Sequence, residues 1–381
     1  MFTESYYPTV DGVVTSLRTV SKELERIGHE VYIFAPEPTQ GEKTEDMTRG
    51  GTYFFHSFGF KHYPQYRSSI LPSNGNRILR RLGVDIVHTH GIIFMGMKGL
   101  SAARRFDVPL MSTYHTMFHE AADYYNPLPL AGHLIVSLLI RYMRFYLNRV
   151  DAVVVPTKPI LEELVKIAPR MRHAAVIPTG LDTQRFQPVK DNRSVREEYR
   201  IGDAPLLLYL GRVAYEKNID AIIKALPLVS DKSAKLLIAG DGPARQDLER
   251  MVRDMHLQDR VIFSGFVPEE RLIDFYSAAD VFVSASPFET QGLSILEAMA
   301  CGRPVASLNY RAVKDYIIDG YNGFLFAAHE RSIAATIDRA LHCEPHIVRN
   351  ARKTAEGYSK EKMASQLSEL YCKMIDLRAR G

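Results

Sequence analysis

Short runs rich in valine and isoleucine alternate with longer amphipathic segments along almost the whole chain, and this rhythm constrains the fold more than any other feature. Four or five consecutive apolar residues suit a strand buried on both faces, and a 3.6-residue period suits the helix that covers it. The alternation therefore predicts βαβ units and parallel sheets. Strands are predicted at Val31 to Ala35, Asp85 to His88, Pro109 to Thr113, Ala152 to Val155 and Ala174 to Ile177. A second set is predicted at Leu206 to Leu210, Lys235 to Ala239, Val261 to Ser264, Val281 to Ser284 and Pro304 to Ser307. Between the sets, residues 186–205 are charged, contain two prolines and read as a connection between domains. The chain has 381 residues, more than the roughly 250 to 300 that a single core sustains, so two doubly wound α/β domains are expected, at 1–185 and 186–358. Ligands of such sheets bind beyond the carboxyl ends of the strands. Reactive residues are therefore expected just after strands, facing an interdomain cleft.

Composition excludes several classes. A hydrophobic fraction of 46% with 24% charged residues is that of a globular protein rather than a disordered one. Cys301, Cys343 and Cys372 lack metal-site spacing and point to a reducing, cytoplasmic setting. The longest apolar run, Leu134 to Ile140, falls far short of the roughly 20 residues of a membrane span, and no secretory pattern opens the sequence. The net charge of +4 lies in residues 1–185, which hold 21 basic and 17 acidic residues. That excess is too small for nucleic acid; it suits contact with an anionic membrane surface, but an ordinary solvated surface explains it better from charge alone.

Two segments carry candidate chemistry. After Leu210 comes G-R-V-A-Y-E-K-N, which brings Arg212 and Lys217 to one strand end. A guanidinium can fork onto two phosphate oxygens and an ammonium acts as a compact charge, so the pair suits a diphosphate; in isolation, two solvated loop cations explain it as well. The second segment is Val281 to Val305, V-F-V-S-A-S-P-F-E-T-Q-G-L-S-I-L-E-A-M-A-C-G-R-P-V, and reads as strand, loop, helix and strand. Gly292 frees the backbone at the helix entrance, where unpaired N–H groups attract an anion, and Gly302 and Pro304 end the helix. Glu289 in the loop and Glu297 in the helix offer acceptors for sugar and ribose hydroxyls. Their E-x7-E spacing is not diagnostic, since Glu37/Glu45 and Glu361/Glu369 repeat it. His88 and His90 in V-H-T-H-G lack a carboxylate at ligand spacing and read as structural. Gly240 to Pro243 lacks the third glycine of a dinucleotide motif, Arg245 standing there, and reads as a turn with proline in the first helical turn.

These residues resemble glycosyltransferase family 4, the retaining enzymes of the GT-B fold with two Rossmann-like domains. The resemblance rests on Y-P-T-V-D-G-V near the start, T-Y-H-T, G-R-x4-K, A-G-D-G-P and F-E-T-Q-G-L-S-I-L-E-A-M-A-C-G-R-P-V, and runs over nearly the whole length. It implies that Glu289 contacts the hydroxyls of the donor sugar, Glu297 the ribose, and Arg212 with Lys217 the diphosphate. Thr290 and the backbone of Gln291, Gly292 and Leu293 lie nearby in that pattern, Gly12 completes the phosphate site, and Val267 holds the base through its main chain. His115 matches the histidine beside the donor sugar. Residues 359–381 look like the family's final helix, which crosses back to the first domain. The family's members begin with an apolar strand ahead of F-T-E-x-Y-Y-P, whereas only Met1 precedes Phe2 here. The first strand of the N-terminal sheet is therefore expected to be truncated or absent, with the native start upstream.

The reaction implied is transfer of a hexose from a UDP- or GDP-sugar with retention and without a metal or other cofactor. T-Y-H-T-M-F-H-E-A-A-D-Y-Y, Thr113 to Tyr125, resembles the branch that glucosylates diacylglycerol or related lipids. A helix over Leu130 to Arg149 sets Ser137, Arg141, Arg144 and Asn148 on one face and Leu134, Leu138, Tyr142 and Phe145 on another, which suits peripheral attachment to the cytoplasmic leaflet or, as well, packing within the domain. A soluble sugar acceptor, a sugar-nucleotide 2-epimerase of the same fold and a non-catalytic nucleotide-sugar binder are the alternatives.

Overall fold

The computed structural model describes residues 1–7, 12–38, 51–60, 63–69, 75–115, 132–189 and 193–380. It divides into two compact units, Met1–Gly180 with Lys360–Gly381, and Leu181–Ser359. The division falls five residues before the expected boundary because residues 186–205 are no linker. Leu181, Phe186, Val195 and Ile201 are buried in the core of the second unit, while Gln187, Pro188 and Val189 between them are exposed.

In the first unit the strands are β1 (Ile33–Pro36), β2 (Thr52–Phe55), β3 (Phe58–Phe60), β4 (Tyr63–Ser68), β5 (Val87–Thr89), β6 (Leu110–Thr113), β7 (Ala152–Val155) and β8 (Ala174–Val176). β3 and β4 form an antiparallel hairpin, and β5 to β8 run parallel in chain order, as do β1 and β2. The place of the expected missing strand is filled by Met1 to Thr3. Phe2 bridges Phe34 of β1 and Thr89 of β5 in parallel, donating from its N–H to the His88 carbonyl (2.8 Å) and accepting from His90 N–H (2.7 Å). One face of the sheet is covered by Val20 and Leu24 from the first helix together with Met363, Leu367, Tyr371 and Met374 from the final helix, Lys360–Arg380.

The second unit holds β9 (Leu206–Leu210), β10 (Lys235–Ala239), β11 (Val261–Gly265), β12 (Val281–Ser284), β13 (Val305–Leu308) and β14 (Phe324–Phe326). All are parallel, in the order β11-β10-β9-β12-β13-β14. Leu207, Tyr209, Leu236 and Ile238 enter one core while Leu206, Leu208 and Leu237 enter the other. The period-two alternation thus buries both faces, so these strands read as unbroken apolar runs, each fully buried leucine contributing about 1.5–3 kcal/mol. Renumbered from β9, the order is 3-2-1-4-5-6, whose winding reverses between β9 and β12. That reversal opens the crevice in which doubly wound sheets bind ligands.

Candidate active site

The β9 and β12 exits flank the reversal, and both candidate segments leave from them. After β9, Gly211 (φ +152°) turns the chain, Tyr215–Lys217 forms a 3-10 turn, and Asn218 in the left-handed region starts the helix Ile219–Ala225. A Cβ on Gly240, after β10, would lie 1.9 Å from the Gly211 carbonyl oxygen, and one on Gly242 would lie 2.4 Å from that of Val213. The G-D-G-P glycines therefore let two strand exits touch backbone to backbone. Pro243 stands ahead of the helix, which begins only at Arg245, so the proline expected in its first turn belongs to the preceding turn.

After β12 the chain runs through Ser286 and Glu289 to Gly292 (φ +80°), which caps the helix Leu293–Ala300. A side chain at Gly292 would be strained by that φ and would press on the Tyr316 hydroxyl at 2.9 Å. Tyr316 donates from that hydroxyl to the Gln291 carbonyl (2.8 Å), fixing the loop from below. Ile295 N–H donates to the Gly292 carbonyl (3.1 Å), and the N–H groups ahead of it have no helical acceptor, so with the dipole they present a positive end.

Lys217 spans the crevice. Its Nζ donates to Glu289 Oε1 at 2.7 Å and lies 3.5 Å from Ser286 Oγ. Burial pushes the Glu289 carboxyl up, but the charge and hydrogen bond of Lys217 and the Ser286 hydroxyl outweigh it and hold the group below its ordinary value, as a carboxylate. Arg212 pairs with Glu216, a residue the sequence reading did not single out, although its i,i+4 spacing from Arg212 is visible. Both cations expected on the diphosphate are thus already oriented by a carboxylate, while the guanidinium's five N–H groups and the ammonium's three leave donors over for phosphate oxygens.

Glu297 lies in the helix body and accepts from the Tyr276 hydroxyl at 2.6 Å; Tyr276 also escaped the sequence reading. Burial raises the Glu297 pKa against the opposing pull of that hydrogen bond and of Arg185. Thr290 and Leu293 are half-buried and Gln291 is buried beside Gly292, while Val267 follows β11 with its side chain packed against the core.

His115 and Gly12 belong to the first unit. Gly12 is exposed at the start of the helix Gly12–Arg26, with nothing within 4 Å of where a Cβ would stand; residues 8–11 of Y-P-T-V-D-G-V lie outside the described residues. His115 follows β6, its Nε2 lying 3.0 Å from His90 Nδ1, and residues 116–125 of the T-Y-H-T segment lie outside the described residues. His88 is held by the Tyr371 hydroxyl at Nδ1 (2.6 Å) and by Thr113 Oγ1 at Nε2 (2.7 Å). Among the described residues no group of three or more His, Cys, Asp or Glu side chains forms a metal-binding set.

The helix Gly132–Leu147 buries Met143, Tyr146 and Leu147, with the start of the expected span and the Leu134 side chain outside the described residues. Leu138 (55% exposed) and Phe145 (41%) face solvent beside exposed Arg141, Arg144 and Arg149, so the expected apolar face is not the core face. No described helix is long and apolar enough to cross a membrane.

Two Rossmann-like units, one with paired cations and carboxylates at the exits of its central strands, have the architecture of the GT-B fold. Residues 10–185 match the model of Glycosyltransferase Family 4 and residues 191–360 that of Glycosyl transferases group 1. The chain belongs to glycosyltransferase family 4 and is a glycosyltransferase. It is 34% identical to the alpha-monoglucosyldiacylglycerol synthase of Streptococcus pneumoniae, over 91% of this chain and 78% of that protein. With the Acholeplasma laidlawii protein of the same name it shares 28% identity over 99% and 97%. Sucrose-phosphate synthase from Thermosynechococcus elongatus shares the fold, with a TM-score of 0.81 at 23% identity over 99% of this chain and 96% of that one.

Proposed function

We propose that the protein moves a hexose, with retention, from a nucleotide-diphosphate sugar to a membrane lipid such as diacylglycerol or a phospholipid headgroup, at the cytoplasmic face of the membrane. The observation that carries the donor half is the Lys217–Glu289 pair across the switch point, beside the positive end of the helix Leu293–Ala300. The diphosphate lies against Arg212, Lys217 and that helix end. The Glu289 carboxylate accepts from sugar hydroxyls and Glu297 from the ribose, and the Val267 main chain meets the base.

No carboxylate in this assignment stands as a nucleophile. The acceptor hydroxyl attacks the anomeric carbon on the face from which the diphosphate leaves, and its proton passes to the departing phosphate oxygen. The protein's part is to stabilise the growing negative charge, each preorganised donor being worth roughly 3 kcal/mol. Two cations and a helix end supply that charge without a divalent metal. His115 positions the reacting centre.

The acceptor half rests on the lipid-named relatives and on exposed Leu138 and Phe145 among arginines, a pattern that suits a helix lying on an anionic leaflet. The test is release of nucleoside diphosphate from a panel of UDP- and GDP-sugars, with chelator present, with and without diacylglycerol vesicles. Lipid-stimulated release is expected. Release that responds only to soluble sugars, or acceptor-independent conversion of the donor as in an epimerase, would overturn the lipid assignment.

A further inference from the structure

With Met1 to Thr3 counted as a strand, the first unit has the order β2, β1, Met1 to Thr3, β5, β6, β7, β8, and its winding reverses between Phe2 and β5. Each unit therefore has its own switch point, the place where doubly wound sheets bind ligands. In the second unit cations stand there beside the positive end of a helix. In the first a carboxyl stands there. Glu4 follows the Phe2 strand, and its Oε1 accepts from Met95 N–H (2.9 Å) and Gly96 N–H (3.2 Å) in the first turn of the helix Phe94–Phe106. Ile93, which precedes that helix, has no side-chain acceptor, so Glu4 caps it from a distance. Glycines make the room: a Cβ on Gly91, past β5, would lie 2.3 Å from Glu4 Cγ, and one on Gly96 would lie 2.5 Å from the Gly91 carbonyl oxygen.

A helix N-terminus binds phosphate through its unpaired N–H groups and positive dipole end. Here Glu4 has taken those groups. Burial pushes its carboxyl up to about 7, against the pull of the backbone N–H groups and of Lys98, so near neutral pH it keeps part of its charge and all of its place. An incoming phosphate meets donors already used and, where Glu4 is ionised, a like charge. A hydroxyl is not turned away, because a carboxyl oxygen accepts from it in either protonation state and Glu4 keeps some exposed surface. Ile93 and Met97, each 37% exposed, stand at the same helix end, which suits a hydroxyl carried on an apolar body.

We propose that Glu4 is a specificity-determining residue: by filling the anion seat at the switch point of the first unit, it selects an uncharged acceptor hydroxyl and rejects a phosphate-bearing headgroup. The consequence for transfer rests on the acceptor half of the proposed function, which it narrows to lipids without a phosphate. The filled seat is a property of the first unit alone.

Two measurements on the full chain test it. The first follows the Met95 amide by ¹H–¹⁵N correlation with ¹⁵N-labelled methionine, assigned with Met95→Leu, while inorganic phosphate is added. The native amide is expected to stay in place and that of Glu4→Ala to move saturably, the seat having been vacated. A native amide that moves saturably overturns the proposal, and so does a folded Glu4→Ala whose amide does not move. The second compares transfer to diacylglycerol and to phosphatidylglycerol at about pH 8, above the Glu4 pKa, in vesicles brought to equal anionic charge with phosphatidylserine. The native protein should prefer diacylglycerol by at least about 100-fold in kcat/KM, and Glu4→Gln, which keeps the capping oxygen but no charge, should cut that preference about tenfold. Comparable rates with both lipids in the native protein, or an undiminished preference in Glu4→Gln, would overturn the assignment. Absence of transfer to either lipid, beside the expected amide behaviour, would sink the lipid-acceptor reading while the filled seat stands.

Discussion

Replacing Lys217 with alanine removes a positive charge from the leaving group and strips Glu289 of its counter-ion in one step. The catalytic loss is that of one preorganised donor, about 2.7–4 kcal/mol or 10²- to 10³-fold in kcat. The structural loss is smaller than for a wholly buried pair, because both side chains keep about a fifth of their surface exposed. Roughly 1–3 kcal/mol follows, which for a unit of this size lowers the melting temperature by about 2–12 °C. The two effects differ in their pH dependence. In the native protein the Glu289 pKa is lowered, so its contribution is complete above the ordinary value near 4.5 and is lost as pH falls through the folded value. Without Lys217 burial prevails, the folded pKa rises above the unfolded one, and the carboxylate costs stability as pH rises. The assay is diphosphate release at saturating donor for Lys217→Ala, Glu289→Gln and the double variant, each with a melting curve at several pH values. A pair acting as one unit makes the double variant little worse than the worse single one. A kcat within threefold of the native value for Lys217→Ala, or losses that simply add, would refute the reasoning.

Acid should destabilise the first unit earlier than the second. Buried His88, His90 and His115 bind protons when unfolded and not when folded, so stability falls as pH drops from about 6.5 towards 4. Glu4, raised to about 7 by burial, works the other way between 4.5 and 7 but offsets only one proton of three. A melting temperature unchanged between pH 7 and pH 5 would contradict neutral burial of these histidines. On the membrane side, Leu138→Ser with Phe145→Ser should reduce cosedimentation with anionic vesicles at low salt at least severalfold without altering the melting temperature, since both side chains are exposed; undiminished binding would remove this helix from the membrane contact.

The ten strands legible in the sequence are short apolar runs, most of them buried on both faces, and the structure finds each within two residues of its expected ends. Thr52–Phe55, the Phe58–Ser68 hairpin and Phe324–Phe326 went unseen because they are short and aromatic. Their extension is enforced by pairing with distant segments, which no local pattern encodes. The stretch 186–205 misled because its buried positions, Phe186, Val195 and Ile201, are too sparse to print a period through the surrounding charge. In the site, Arg212, Lys217, Glu289 and Glu297 stood out by their places after strands. Glu216 and Tyr276 did not: the i,i+4 spacing of Glu216 from Arg212 is common enough to pass unnoticed, and the pairing of Tyr276 with Glu297 appears only once the chain is folded.

The first unit is closed by a helix encoded after the whole of the second. During synthesis, about 180 residues must intervene between completion of the first sheet and arrival of its cover, a wait of roughly 10–35 s at about 5–20 residues per second. Through that interval the greasy side formed by Val20, Leu24, Met111 and Val154 stands open to chaperones or to another nascent copy. Trimming the chain at Ser359 would make that transient exposure permanent, so yield and aggregation, rather than activity, would register the loss first.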